Sequence, residues 1–478
     1  MIRLKTALLG TACAATLAAS GAIAAAPAGA ASTTPVLSVQ LDGTAVIPGL
    51  SSGLNASITV SDPAIRQVQG LRVSLDTRAL PRGVTIDTPG GSDWTCAAVR
   101  HRITCVSSAT RSVSWSVYRP TGYVGSLGLA VRARSSAALA TGSLTAIATA
   151  TGLGRATDRR PFSVAEGVQL VAGQSPPRVS VADGETYQER WTVTNGGTNT
   201  VHGVALWTES DPGFDPATRY RNCRYDSSIN GTFCFFANDL LPGRTYTLAT
   251  PMGFRIASDH RAPFNGLTEG GWRTPLDLRN AFRLSSMKAG HGPKLSLVAG
   301  SGGAPAPVLT RAGRPQINLS DQSSFDVPVS VTGRLTVDLA AVGATAVAPK
   351  AGDQVQLALG VRDLGPAAAV LTRSGDPLTD AVVTLPAGTT ATSVPLGCAP
   401  VVSGQPDWDL LDLPGYQAYE CLLYTNLAVG GTAPLPFTVA VTGSSVGAPG
   451  SITLTFGSDA PKDADPTDDT APIVLTAG

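Results

Sequence analysis

From Leu37 to Phe456 apolar and polar residues alternate with a period of two, and that pattern excludes most ways a chain of this length can fold. Clean runs include Leu54/Ala56/Ile58/Val60, Leu71/Val73/Leu75, Phe325/Val327/Val329/Val331, Val355/Leu357/Leu359/Val361 and Ile452/Leu454/Phe456, with Ser, Thr, Gln, Arg or Asp between. Successive side chains of a strand point to opposite faces, so each run sets one face on a core and the other in water. Turn signals such as Asn195-Gly196-Gly197, Leu241-Pro242-Gly243 and Pro386-Ala387-Gly388 break the runs at sandwich-like intervals. An all-β fold is expected. One segment, Thr274 to Leu284, reads two ways: as a helix with Thr274 capping and Pro275 in the first turn, or as a strand through Leu276/Leu278 and Phe282/Leu284.

The first 31 residues follow a different rule. Arg3 and Lys5 precede an uncharged Ala-rich stretch, and small residues converge at Ala28, Gly29, Ala30 and Ala31. This is the layout of a cleaved export signal, which predicts a secreted, extracellular protein. Cys13 lacks the preceding Leu of a lipoprotein site, and no later stretch is long and apolar enough to span a bilayer. No transmembrane segment is therefore expected after signal cleavage. Leu385-Pro386-Ala387-Gly388-Thr389 has its last two residues in the wrong order for a wall-sorting signal.

Removing Arg3 and Lys5 from 35 basic residues leaves 33 against 34 acidic ones, so the secreted chain is nearly neutral. Neutrality argues against nucleic acid as a partner. The 52 glycines and 35 prolines match many short strands joined by many turns.

After Cys13 leaves with the signal, six cysteines remain, as Cys96 and Cys105, Cys223 and Cys234, Cys398 and Cys421. Close spacing within each pair and long gaps between pairs predict one local disulfide per domain, natural in an oxidising compartment. The first pair is expected across a short hairpin, with Cα atoms about 5.5–6 Å apart.

Each pair sits in a weak internal repeat of strand, Pro-Gly turn, Cys, Cys, turn and closing strands, as in Leu80-Pro81-Arg82-Gly83 before Trp94-Thr95-Cys96. The expected organisation is a signal peptide at 1–31 and β-sandwich domains at 32–172 and 175–300. A Gly/Pro/Ala linker at 301–314 and a third β-sandwich domain at 315–478 complete it.

The third segment carries a further pattern: Asp338-Leu339-Ala340-Ala341-Val342-Gly343, Arg362-Asp363-Leu364-Gly365-Pro366, Cys398-Ala399-Pro400-Val401-Val402, Tyr419-Glu420-Cys421 and Asp465-Pro466-Thr467-Asp468-Asp469. It resembles the Ig-like "conserved repeat" domains of unknown function in secreted and wall-anchored proteins of high-GC Gram-positive bacteria. The second segment resembles them less and the first less again. The resemblance implies three tandem Ig-like β-sandwich domains used as extracellular spacers or adhesive modules, with no catalytic residues to carry over.

Candidate chemistry is sparse. Gly443-Ser444-Ser445-Val446-Gly447 has the spacing of a nucleophile elbow, but a turn and a strand follow where a helix is required. His101, His202, His260 and His291 fall outside the third segment and join no triad motif. The acidic run from Asp459 to Asp469 can ligate calcium, but it lacks EF-hand spacing and reads better as a solvated turn. Aromatics in the second segment, among them Trp207, Phe214, Tyr220 and Tyr225, form a candidate sugar platform if exposed and core if not. The expected function is a non-catalytic structural or adhesive cell-surface protein without metal or cofactor. The alternative is a polysaccharide- or cell-wall-binding module, and the expected partners are a wall or extracellular polymer or another surface protein.

Overall fold

Three times along the chain, six strands return to the same sheet order. The computed structural model describes residues 36–62, 64–88, 93–116, 119–300, 314–347, 350–372, 375–442, 447–457 and 463–476. The export signal and the first four residues of the elbow-like motif, 443–446, lie outside them. In the first lobe the strands are β1 Thr44–Val46, β2 Arg72–Asp76, β3 Trp94–Val99, β4 Arg102–Ser107, β5 Ala140–Ala150 and β6 Gly154–Val164. Their spatial order is β1-β6-β5-β2-β4-β3. The second lobe places β7 Val179–Ala182, β8 Val201–Ser210, β9 Cys223–Asp226, β10 Gly231–Leu240, β11 Phe264–Arg273 and β12 Ser324–Thr332 in the order β7-β12-β11-β8-β10-β9. In the third, β13 Ala344–Val347, β14 Thr379–Thr384, β15 Cys398–Val402, β16 Ala418–Leu423, β17 Gly450–Thr455 and β18 Thr470–Thr476 run β13-β18-β17-β14-β16-β15. The first pairing of each series is parallel. The others are antiparallel.

A second sheet faces each of these and closes a sandwich. It is built on Ser51–Val60 paired with Arg119–Ala133 in the first lobe and on Gln354–Asp363 paired with Thr432–Val441 in the third. In the second lobe it is broken in two, around Thr192–Asn195 with Thr245–Leu248 and Thr186–Glu189 with Met252–Ile256. Inward-facing residues of both sheets form three large apolar clusters, one per lobe. In Ser51–Val60 the last seven residues alternate buried and half-buried, as a half-solvated strand requires.

Each disulfide occupies the same place. Cys96 on β3 faces Cys105 on β4, Cys223 on β9 faces Cys234 on β10, and Cys398 on β15 faces Cys421 on β16. Every bond therefore fastens the last strand of the six to its neighbour. The Cα atoms of the first pair are 4.0 Å apart, closer than expected, because the register sets the two residues directly opposite each other. The third pair encloses an excursion that contains a 3-10 turn, Trp408–Leu410.

The assigned start of the third domain at 315 is corrected by β12. Ser324–Thr332 pairs with β7 and β11, and Phe325 stacks on Trp191 in the second core with ring centroids 4.7 Å apart. Alternation marked this segment as a strand but carried no information about its sheet. Residues 301–313, most of the expected linker, lie outside the described residues. What surrounds them, 274–300 and 314–323, is an insertion between β11 and β12 of one sheet.

That insertion begins with α1, Pro275–Ala281, so the helical reading of Thr274 to Leu284 prevails. Thr274 Oγ1 accepts from Asp277 N at 3.1 Å, and Asp277 Oδ2 accepts from Thr274 N at 3.2 Å. The reciprocal box satisfies two end amides that a strand would have offered to a neighbour. The insertion ends in Gln316–Asn318, which pairs in parallel with Glu166–Val168 at the end of the first lobe. Arg283 adds an ion pair to Asp158 at 3.2 Å. On the other side, Ala368 N donates to Asp259 O at 2.7 Å and Ala262 N to Leu335 O at 2.8 Å, tying the second lobe to the third. Among the described residues no helix is long and apolar enough to cross a membrane.

Candidate functional site

The aromatic platform is not assembled. Phe214 is 0% exposed and Tyr220 and Tyr225 are each 5% exposed, all within the second core. Tyr225 Oη accepts from Tyr220 N at 2.6 Å, and burial raises its phenol to a pKa of about 12. These residues are structural. Trp207 lies apart from them, on the opposite face of β8, because it alternates with the core residues Val204, Leu206 and Thr208.

The outer face of β8 and β10 is itself apolar at Ala205 and Phe233, and α1 covers it with Leu278 while Met287 closes one side. Phe233 and Phe282 meet there at a centroid distance of 4.5 Å. This explains why aromatics concentrate in the second segment: its central sheet is covered on both faces. Trp207, half-buried, sits at the border of the small core. Its cross-strand partner is Gly271, where an added Cβ would approach Trp207 Nε1 to 2.9 Å. Only glycine lets the indole lie this close to the sheet.

Beyond Trp207 the same face opens into two clefts. One, of about 750 Å³, is lined by Asp42, Ser52 and Gly53 of the first lobe and by Trp207, Glu209 and Arg273 of the second. The other, of about 410 Å³, is lined by Glu209, Arg219, Asp226 and Lys288 of the second lobe and by Leu371 and Asn426 of the third. Glu209 borders both. Arg219 lies over the Tyr225 ring at 5.0 Å, and Asn426 Oδ1 accepts from Leu371 N at 2.7 Å, so side chains from neighbouring lobes are held at the rim. Both signs occur along the walls, with five acidic residues, Asp42, Asp277, Glu209, Asp215 and Asp226, outnumbering Arg273, Arg219 and Lys288.

The acidic run resolves into a turn with an unforeseen member. Asp459 lies outside the described residues, but Asp463 and Asp468 bring carboxylate oxygens within 4.8 Å of one another and of Asp338, 125 residues before Asp463. Asp463 Oδ1 accepts from Leu339 N at 2.7 Å, and Asp465 Oδ1 accepts from Thr467 N at 3.1 Å. The Asp465 bond, together with Asp465 N donating to Asp463 Oδ2 at 3.0 Å, is that of a self-capping turn, whereas the bond from Leu339 ties the turn to a distant strand. Burial and then its acidic neighbours, Asp463 first, raise Asp469 to a pKa of about 6. Asp338, Asp463 and Asp468 are near enough to hold a cation; Asp463 is engaged by backbone amides, while Asp338 Oδ1 and Asp468 Oδ1 are buried without a hydrogen-bond partner.

The histidines are scattered. His202 Nδ1 lies 3.1 Å from Asp239 Oδ1, and buried His260 has Nδ1 2.8 Å from Arg261 O, with burial lowering its pKa. His101 and His291 are exposed. After Gly447 the chain enters β17, a strand, where a nucleophile elbow needs a helix.

No family model matches the chain, and no curated protein matches it. Solved structures that align with it include a Corynebacterium diphtheriae protein at 11% identity, covering 93% of this chain and 96% of that one, with a TM-score of 0.15. The C-terminal domain of the Streptococcus pyogenes antigen I/II-family protein AspA aligns at 8% identity over 63% of this chain and 100% of its own, with a TM-score of 0.18. Titin domains I67–I69 align at 8% identity over 93% and 99%, with a TM-score of 0.15. Scores this low carry no argument, and the fold rests on the strand orders above.

Proposed function

We propose that this is a secreted, non-catalytic cell-surface protein, structural or adhesive, built from three Ig-like domains of the conserved-repeat kind. The observation that carries the reading is the recurrence of one order of six strands with a disulfide between the same two of them each time. Disulfides form and persist outside the cytosol, and repetition of a closed sandwich builds length without a reaction centre. We place the domain limits near Ala165 and Gly333, where one set of sheets ends and the next begins. The export signal at 1–31 supplies the route outward.

The test is protease shaving of intact producing cells, with N-terminal sequencing of the exported chain. The reading expects a mature N-terminus near Ser32, tryptic peptides released from unbroken cells, and no free thiol before reduction. Retention of the full chain in the cytosol would overturn it, as would a hydrolase or transferase activity abolished by one point substitution.

A further inference from the structure

Clefts at lobe boundaries are common, but these two are not independent. Both open on the outer face of the second lobe's central sheet, and Glu209, on the middle strand β8, borders each. Joined at Glu209, they run from Gly53 of the first lobe to Asn426 of the third. We infer that this continuous trough binds an extended, uncharged polysaccharide, with the half-buried indole of Trp207 as its apolar floor. The inference rests on the cell-surface reading and supplies its ligand class.

The walls select the ligand. Asp42, Asp277, Glu209, Asp215 and Asp226 line them against Arg273, Arg219 and Lys288, so a long polyanion meets more repulsion than attraction. A sugar hydroxyl both donates and accepts, so it is matched to carboxylate and guanidinium alike. The C–H face of a sugar ring suits an aromatic side chain, and Gly271, opposite Trp207 on the neighbouring strand, leaves the indole room against the sheet. Each cleft falls in the size range of ligand pockets, so the two together accept several residues of a polymer.

The test is affinity gel electrophoresis of the mature chain through gels containing mannan, dextran, galactan or arabinan, with polygalacturonate as the charged control. At least one neutral polymer should retard the chain, with little change between about 50 and 500 mM NaCl. Gly53→Trp should weaken that retardation about tenfold or more. An added Cβ at Gly53 meets nothing within 4 Å, so this variant fills the trough without disturbing a core. Trp207→Ala should act in the same direction, and Trp408→Ala, at an exposed tryptophan outside the trough, should change nothing. Migration unaffected by every neutral polymer overturns the inference, as does retardation by polygalacturonate alone or neutral-polymer binding that Gly53→Trp leaves intact. Released surface peptides with no polymer binding would sink the trough and leave the surface reading standing; cytosolic retention would sink that reading whatever the gels show.

Discussion

Gln316 donates its side-chain amide from Nε2 to Glu166 Oε2 at 2.9 Å, joining residues 150 positions apart. The same amide donates to Thr200 O at 2.8 Å, and Gln316 Oε1 accepts from His202 N at 2.7 Å. Gln316 is 4% exposed, so one buried side chain serves the end of the first lobe and the central sheet of the second. Gln316→Ala would leave those groups without partners, at about 1–3 kcal/mol for a buried polar group left unmade. The expected result is a lower Tm by calorimetry and new proteolytic cleavage near residues 165–170. Unchanged protection there would show that the strand pairing of Gln316–Asn318 alone holds the seam.

The three disulfides should differ in their contribution. Their sequence separations are 9, 11 and 23 residues. Chain entropy then assigns about 2.6, 2.8 and 3.4 kcal/mol, so Cys398→Ala/Cys421→Ala should lower stability the most. Chemical denaturation of the three double-alanine variants measures the order. A first-pair variant less stable than the third would mean that strain or residual structure outweighs loop length.

Phe214→Ala should cost about 3–5 kcal/mol, since it empties a fully buried site in contact distance of Tyr187, His260 and Phe264. Trp408→Ala, at a side chain 41% exposed, should cost far less. Equal effects in urea denaturation would contradict the assignment of the second segment's aromatics to core.

Asp469 sets a pH dependence of known sign. Its folded pKa of about 6 stands above the ordinary aspartate value of 3.8, so the folded state holds the proton more tightly than the unfolded state. The stability linked to this proton is fully present below about pH 4 and is lost as pH rises through about 6. Asp469→Asn should therefore raise Tm at pH 7.5 and have much less effect at pH 4.5. A stabilisation equal at both values would exclude titration as the cause.

Period-two alternation, six cysteines in three close pairs and Thr274-Pro275 were enough to read an all-β chain, candidate pairings and a helical option. All of these are local. A strand's alternation follows from its own pleat, and a cap from residues three apart, so both appear within a few positions of sequence. Asp277, at the third helical position, completes the box and is the signal that distinguishes helix from strand in that segment.

Where each local unit goes is settled only when distant strands dock. Phe325/Val327/Val329/Val331 alternates as cleanly as any strand, yet nothing in its own residues reveals that it returns to the second core across an insertion. Trp207 and Phe214 look equivalent in sequence, but one faces the outer layer and the other the inner, because α1 covers the outer sheet face. Asp338 joins Asp463 and Asp468, and Gln316 joins Glu166, through pairings that close only after distant strands have docked. Register and sheet membership are set by long-range burial, which selects among strands of similar local pattern and so leaves little trace in any one of them.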